Sequence, residues 1–493
     1  MSDTLFRLAT AGSVDDGKST LVGRLLHDAK AILADSLDDI RRVSAERGFG
    51  GDTPALDLAL VTDGLRAERE QGITIDVAYR YFSTPRRSFI LADCPGHVQY
   101  TRNTVTGAST AHAALVLVDA RNGVVEQTRR HLGVLGLLGV PQVVVVVNKM
   151  DLIDWDEAAF AAIRDDVVAV ADRLGVPGVR VVPVSALQGD FVVDRGESAP
   201  WYTGPTVLDL LETLPAGPAG GQESPARLDV QLVLRPQGAL APELAAEADA
   251  LRDFRGYAGT VSDGPLAVGD GVTVYNDGQR HRARITGVRT PAGESGRAEA
   301  GQAVVVTLDA DLDIARGATL VAEQVDTTQS AGTQSAATEP AATEPGESQP
   351  GESQPGEAHD AVAAVREFGA AVCVLADARL TPGQRVLVKH GTQVVPARID
   401  AVDNVLRLSD LSREPATSLG LNDLGLIRLR TAKPLAATAY SRSRAGGSFL
   451  VIDPAEGNTL AAGMIEPAPL AGGDPAADAA DAHEPELAGA ARA

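Results

Sequence analysis

Eight residues after the first apolar run, Gly12-Ser13-Val14-Asp15-Asp16-Gly17-Lys18-Ser19, fit the pattern GxxxxGK[ST]. Glycines in such a loop let backbone N–H groups turn inward around phosphate oxygens. Lys18 would reach the β- and γ-phosphates, and the Ser19 hydroxyl would sit on magnesium. A helix opening at Ser19 and Thr20 and running to about His27 would aim its positive end at the same anions. An accidental Gly-rich turn is the bland alternative, and the strand–loop–helix setting argues against it.

Three further strings suit a guanine nucleotide. Asp93-Cys94-Pro95-Gly96-His97 ends an apolar run. An acid there can hold a magnesium shell through water, and Gly96 can offer its N–H to the γ-phosphate. Asn148-Lys149-Met150-Asp151 follows the most apolar run of the chain. The Asp151 carboxylate can accept from guanine N1–H and the N2 amino group, a pattern adenine lacks. Asn148 would bridge loops and purine, and the Lys149 stem would lie along the base. Ser185-Ala186 would complete the pocket, with the Ala186 N–H donating to O6. Alone, DxxG reads as a turn, NKxD as a helix cap and Ser-Ala as nothing. Four in this order, each after a strand, predict binding and hydrolysis of GTP with Mg2+.

Such loops need a sheet to hold them. Apolar runs at 5–9, 89–92, 115–118, 143–147 and 179–184 alternate with helical stretches, the signature of a mostly parallel sheet with helices on both faces. Ligands bind such sheets at the carboxyl ends of the strands. We expect an α/β P-loop GTPase domain over 1–218. Short β-branched runs between turn residues then predict two small β-barrels, over 225–325 and 361–468. The Ala/Glu/Leu-rich stretch 242–254 reads as an inserted helix. Residues 326–360, with repeats of Ala-Ala-Thr-Glu-Pro and Gly-Glu-Ser-Gln-Pro and no basic residue, read as a disordered acidic linker, and 469–493 as a disordered tail.

Composition narrows the class. The 493 residues carry a formal net charge of −22, which disfavours broad nucleic-acid binding. Cys94 and Cys373 have no metal-type spacing, and no signal peptide or bilayer-length apolar run occurs, so a cytoplasmic protein without membrane association is expected.

These motifs, with Gly72-Ile73-Thr74 and two barrels after them, resemble the translation-factor class of GTPases. The resemblance implies that Thr74 closes on magnesium, that His97 orients the attacking water, and that Val14 and Ile73 flank it. Elongation factors typically carry histidine in place of Asp16. The string around Asp16 resembles instead the large GTPase subunit of sulfate adenylyltransferase (ATP sulfurylase). So do Ala67-Glu68-Arg69-Glu70-Gln71-Gly72-Ile73-Thr74, Gln99-Tyr100-Thr101-Arg102-Asn103 and Asp253-Phe254-Arg255-Gly256-Tyr257. That family implies a heterodimer in which a small catalytic subunit transfers AMP from ATP to sulfate, giving adenosine 5′-phosphosulfate and pyrophosphate, driven by GTP hydrolysis on the large subunit. A single P-loop agrees with ATP and sulfate sitting on the partner, and the alternative is a translation elongation-type GTPase. Val98, where Glu is usual, and Thr104, where Met is common, depart from the pattern without removing a GTPase residue.

Overall fold

The computed structural model describes residues 5–32, 34–46, 56–61, 76–216, 225–236, 253–323 and 362–466. The expected linker at 326–360, the tail at 469–493, Gly72-Ile73-Thr74 and nearly all of the 242–254 insertion lie outside these residues.

Six strands form the first sheet: β1 (Phe6–Gly12), β2 (Ala78–Ser83), β3 (Ser88–Asp93), β4 (Ala113–Asp119), β5 (Gln142–Asn148) and β6 (Arg180–Pro183). Their order is β2-β3-β1-β4-β5-β6, parallel except for the antiparallel hairpin of β2 on β3. Strand β2 is absent from the apolar runs of the sequence, because its Tyr79 and Tyr81 are exposed at the sheet edge among polar residues. Every residue of β4 is buried, as a strand covered on both faces must be.

Helices α1 (Lys18–Asp28), α2 (Ala34–Glu46), α3 (Thr101–Ala108), α4 (Glu126–Leu137), α5 (Glu157–Arg173) and α6 (Val207–Thr213) belong to this domain. Alternation along the strands splits the core in two. Leu8, Leu115, Leu117, Val144 and Val146 pack on Leu21 and Leu25 of α1 and Leu211 of α6. Ala9, Val116, Val118, Val145 and Val147 pack on Leu132 and Leu135 of α4 and Phe160 and Val167 of α5. Local chemistry sets the helix starts: Asp156 caps α5 by accepting from Ala158 N at 2.8 Å, and Thr206 and Asp209 form a reciprocal capping box on α6.

Two closed, six-stranded antiparallel barrels follow. The first runs in the order 271–276, 319–322, 227–229, 256–263, 303–308 and 279–290, and closes through the hairpin at Asp277-Gly278. Both turn residues have positive φ (47° and 84°), which suits an Asp-Gly hairpin turn. The second runs 385–390, 448–452, 459–465, 363–374, 424–437 and 393–406, and closes on its first strand. Cys373, Leu424, Ala462 and Met464 of this barrel join the α4/α5 side of the first domain's core. Arg444 tightens that junction: its Nη2 donates to Ser109 O (3.1 Å) just past α3 and to Leu138 O (2.9 Å) just past α4.

The two barrels are joined by a buried polar cluster. Arg227 donates to Ala436 O (2.8 Å), pairs with Asp229 (2.9 Å) and lies 3.2 Å from His390 Nε2. The basic runs 280–284 and 428–433 lie on exposed strands, and several of their cations are paired with the chain's own acids, Arg282 with Glu323 and Arg430 with Asp400 among them.

Candidate functional site

All four motifs fall on loops at one edge of the sheet, after β1, β3, β5 and β6. That edge carries the carboxyl ends of the parallel strands, where an open α/β sheet places its ligands.

The first loop is stapled from within. Asp16 Oδ2 accepts from Ser13 N at 2.6 Å, and burial pushes the Asp16 carboxyl up from its ordinary range. Asp15 takes a positive φ of 68°, and Gly17, φ 88°, forms the N-cap of α1. A side chain at Gly17 would collide with Asn148 Nδ2, so the close approach requires glycine. Lys18 is buried, and its Nζ donates to Gly12 O and Ser13 O, each at 2.8 Å. Desolvation lowers the Lys18 pKa against the opposing pull of Asp93 and Asp16. Ser19 and Thr20 stand in the first turn of α1, Thr20 half-buried, and Val14 is exposed on the loop.

Asp93 is buried at the end of β3 and accepts from Thr10 Oγ1 at 2.8 Å. Thr10 and Asp93 are register partners in β1 and β3, a juxtaposition the chain order does not reveal. Thr10 Oγ1 also accepts from Cys94 N at 3.3 Å, and burial pushes the Cys94 thiol up. Gly96 packs so closely on Lys18 Nζ and Gly12 O that no side chain would fit. Thr104 Oγ1 donates to Pro95 O at 3.4 Å, so the residue that departs from the family pattern helps hold this loop. His97 is exposed; its Nδ1 accepts from Gln99 N at 3.3 Å, and its ring neighbours Tyr100.

The base side is built around Asn148. Its Nδ2 donates to Asp16 O (2.8 Å), and its Oδ1 accepts from Ala186 N (3.0 Å). The Ala186 N–H, expected to meet guanine O6, donates to Asn148 in this structure. The next backbone donor, Leu187 N, has no protein partner among the described residues. Arg24 of α1 anchors that stretch by donating to Ala186 O (3.3 Å) and Leu187 O (2.5 Å). Met150 is fully buried, whereas the half-buried Asp151 carboxylate has no partner among the described residues. It is free to accept from a ligand.

Gln127 and His131 of α4 also belong to the site, although no motif includes them. Gln127 Nε2 donates to Gly96 O at 3.3 Å and lies 3.2 Å from His131 Nε2. His131 is buried against the first loop, and burial, with Lys18 nearby, lowers its pKa to about 3. Helical periodicity alone presents both as ordinary helix residues.

The donor set suits a hard cation. The Ser19 hydroxyl and the Asp93 carboxylate are oxygen donors beside the lysine, and magnesium keeps most of its own waters and takes few protein ligands. Among the described residues no cluster of three or more His, Cys, Asp or Glu could hold a metal.

The comparisons with known proteins agree with this geometry. Residues 3–216 match the Elongation factor Tu GTP binding domain, and residues 367–466 match the GTP-eEF1A C-terminal domain-like family. Sulfate adenylyltransferase subunit 1 of Chromobacterium violaceum is 43% identical over 462 residues, covering 94% of this chain and 86% of that one. The chain belongs to the sulfate adenylyltransferase subunit 1 family. Subunit 1 of Salmonella typhimurium is 41% identical over 463 residues, with 94% of this chain and 85% of that one covered. The bifunctional enzyme CysN/CysC of Mycobacterium tuberculosis is 46% identical over 465 residues, which cover 94% of this chain and 67% of that one. As a member of the subunit 1 family with an Elongation factor Tu GTP binding domain, the chain is a GTP-binding GTPase, and the resemblance read around Asp16 extends across most of its length. Among the described residues no helix is long and apolar enough to cross a membrane.

Proposed function

We propose that this chain is the GTP-hydrolysing regulatory subunit of a heterodimeric sulfate adenylyltransferase. GTP hydrolysis over 1–218 drives transfer of AMP from ATP to sulfate on a small catalytic subunit, and the barrels at 225–325 and 361–468 relay the nucleotide state. The observation that carries this reading is the bridge from Asn148 to both Asp16 O and Ala186 N, which assembles phosphate loop and base loops into one pocket.

Each residue has a task. Backbone groups of Gly12, Ser13, Val14, Asp15, Asp16 and Gly17 cradle the phosphates, and Lys18 neutralises charge that develops as water attacks the γ-phosphorus. Ser19 and Thr74 would hold Mg2+, with Asp93 supporting it through water, and the ion would neutralise phosphate charge. His97 orients the attacking water, the role that the family resemblance gives it. Asp151 selects guanine, and the Lys149 stem supports the base. Two free, buried cysteines support a reducing, cytoplasmic setting.

The test is sulfate-dependent release of pyrophosphate from ATP by the two-subunit enzyme, with and without GTP. GTP should stimulate it, and Lys18→Ala should abolish the stimulation while leaving the GTP-independent rate. Equal rates in every arm would overturn the reading.

A further inference from the structure

Asp119 ends β4 beside Asn148, its partner in the parallel register of β4 and β5, and no nucleotide motif includes it. It is 2% exposed. A carboxylate buried to that degree is costly unless donors surround it. Four hydrogen bonds converge here. Oδ1 accepts from Arg121 N (2.9 Å) and Arg121 Nε (3.0 Å), and Oδ2 accepts from Arg121 Nη2 (2.6 Å) and Lys149 Nζ (2.9 Å). Burial alone would push the carboxyl up, but the donors from Arg121 and Lys149 outweigh it and hold the group below the usual carboxylate range.

Lys149 has a second tether. Its Nζ also donates to Asp15 O in the phosphate loop, and its backbone takes a positive φ of 65°. The side chain is thus stretched between a fixed carboxylate at the end of β4 and a fixed carbonyl beside the phosphates. A lysine stem has four rotatable bonds and one compact charge, so a single contact would leave it rotamers to lose when a base arrives. Arg121 takes up the remaining capacity of Asp119 from the solvent side, with its own side chain 50% exposed.

We propose that Asp119 is a positioning residue for the base pocket: it anchors the Lys149 ammonium so that the stem forms a fixed wall for guanine and ties the base loop to the phosphate loop. The proposal rests on the reading of residues 148–151 as that pocket. Pre-organisation of this kind slows ligand release and leaves the chemical step alone.

The experiment is stopped-flow dissociation of a fluorescent GDP analogue from the full chain, comparing wild type with Asp119→Asn, Lys149→Met and the double variant. Loss of one charge-assisted hydrogen bond should speed release about tenfold in Asp119→Asn. Because Asp119 acts through Lys149, the double variant should release no faster than Lys149→Met. Unchanged release in Asp119→Asn, or additive effects in the double variant, would overturn the proposal. Arg121→Ala leaves the Asp119–Lys149 contact in place and should keep release within about twofold of wild type, as expected for an exposed partner. A tenfold rise there would transfer the role to Arg121 and sink the proposal even if Asp119→Asn does not fold. Asp151→Asn separates the underlying reading: undiminished GDP affinity in that variant would mean that the base does not sit on 148–151 at all.

Discussion

Asn148 and Asp16 meet across the carboxyl edge of the sheet, the Asn148 Nδ2 donating to the Asp16 carbonyl at 2.8 Å. The contact joins the loop after β5 to the loop after β1, and the other end of the same amide holds Ala186 N. Asn148→Ala would leave a buried N–H and a buried C=O without partners, each costing about 1–3 kcal/mol. We expect GDP affinity to fall at least about tenfold, checked by equilibrium titration of the variant.

Asp16 separates two demands on one side chain. Its carboxylate accepts from Ser13 N, while burial raises its pKa. Asp16→Asn keeps an acceptor and should hold GTP within about threefold of wild type, whereas Asp16→Ala should weaken binding about tenfold. Titration with a fluorescent GTP analogue decides between them, and equal losses in both variants would show that the charge itself matters.

Much of this edge is legible in the amino-acid sequence. Val143, Val144, Val145, Val146 and Val147 suit a strand buried on both faces, and the strings that follow each such run carry their chemistry in their spacing. Contact across the chain is what sequence hides. Thr10 meets Asp93 only through the register of β1 and β3, and Asp119 meets Lys149 only because β4 and β5 end together. Residues 227–234 form two strands, Arg227–Asp229 and Leu232–Leu234, parted where Val230 N donates to Ala318 O. Edge strand β2 and the paired roles of Gln127 and His131 leave no periodic signal.

Arg444 connects the second barrel to two helices of the first domain. Its acceptors sit at the carboxyl ends of α3 and α4, where cations also complement the helix dipole. Arg444→Ala should raise hydrogen exchange at residues 101–109 severalfold, reflecting about 1–2 kcal/mol less protection. Unaltered exchange there would remove Arg444 from the link between α3 and the barrel.

Half-buried His112 and buried His390 set an acid limit on stability. His112 is held at about 4 by burial and by the charges of Arg7, Arg444 and Arg87, and His390 is lowered by burial and by Arg227. Unfolded, both titrate near 6.5. Between those values the unfolded chain binds more protons, so this contribution is complete above pH 6.5 and is lost as pH falls toward 4. The slope is at most ~1.4 kcal/mol per pH unit for each histidine. Asp16 and Asp263, raised by burial, bind protons in the folded state and offset part of it. Urea midpoints between pH 7 and 5 should fall, and His112→Asn should flatten the decline.

In the proposed function, GTP hydrolysis on this chain does thermodynamic work on a small catalytic subunit. The most direct measurement is the amount of adenosine 5′-phosphosulfate that the two-subunit enzyme accumulates at long times from ATP and sulfate, with GTP or with a non-hydrolysable analogue. With GTP the product should rise above the level that ATP and sulfate alone support at equilibrium, and with the analogue it should not. The same final level in both arms would contradict the coupling, whatever the rates of approach.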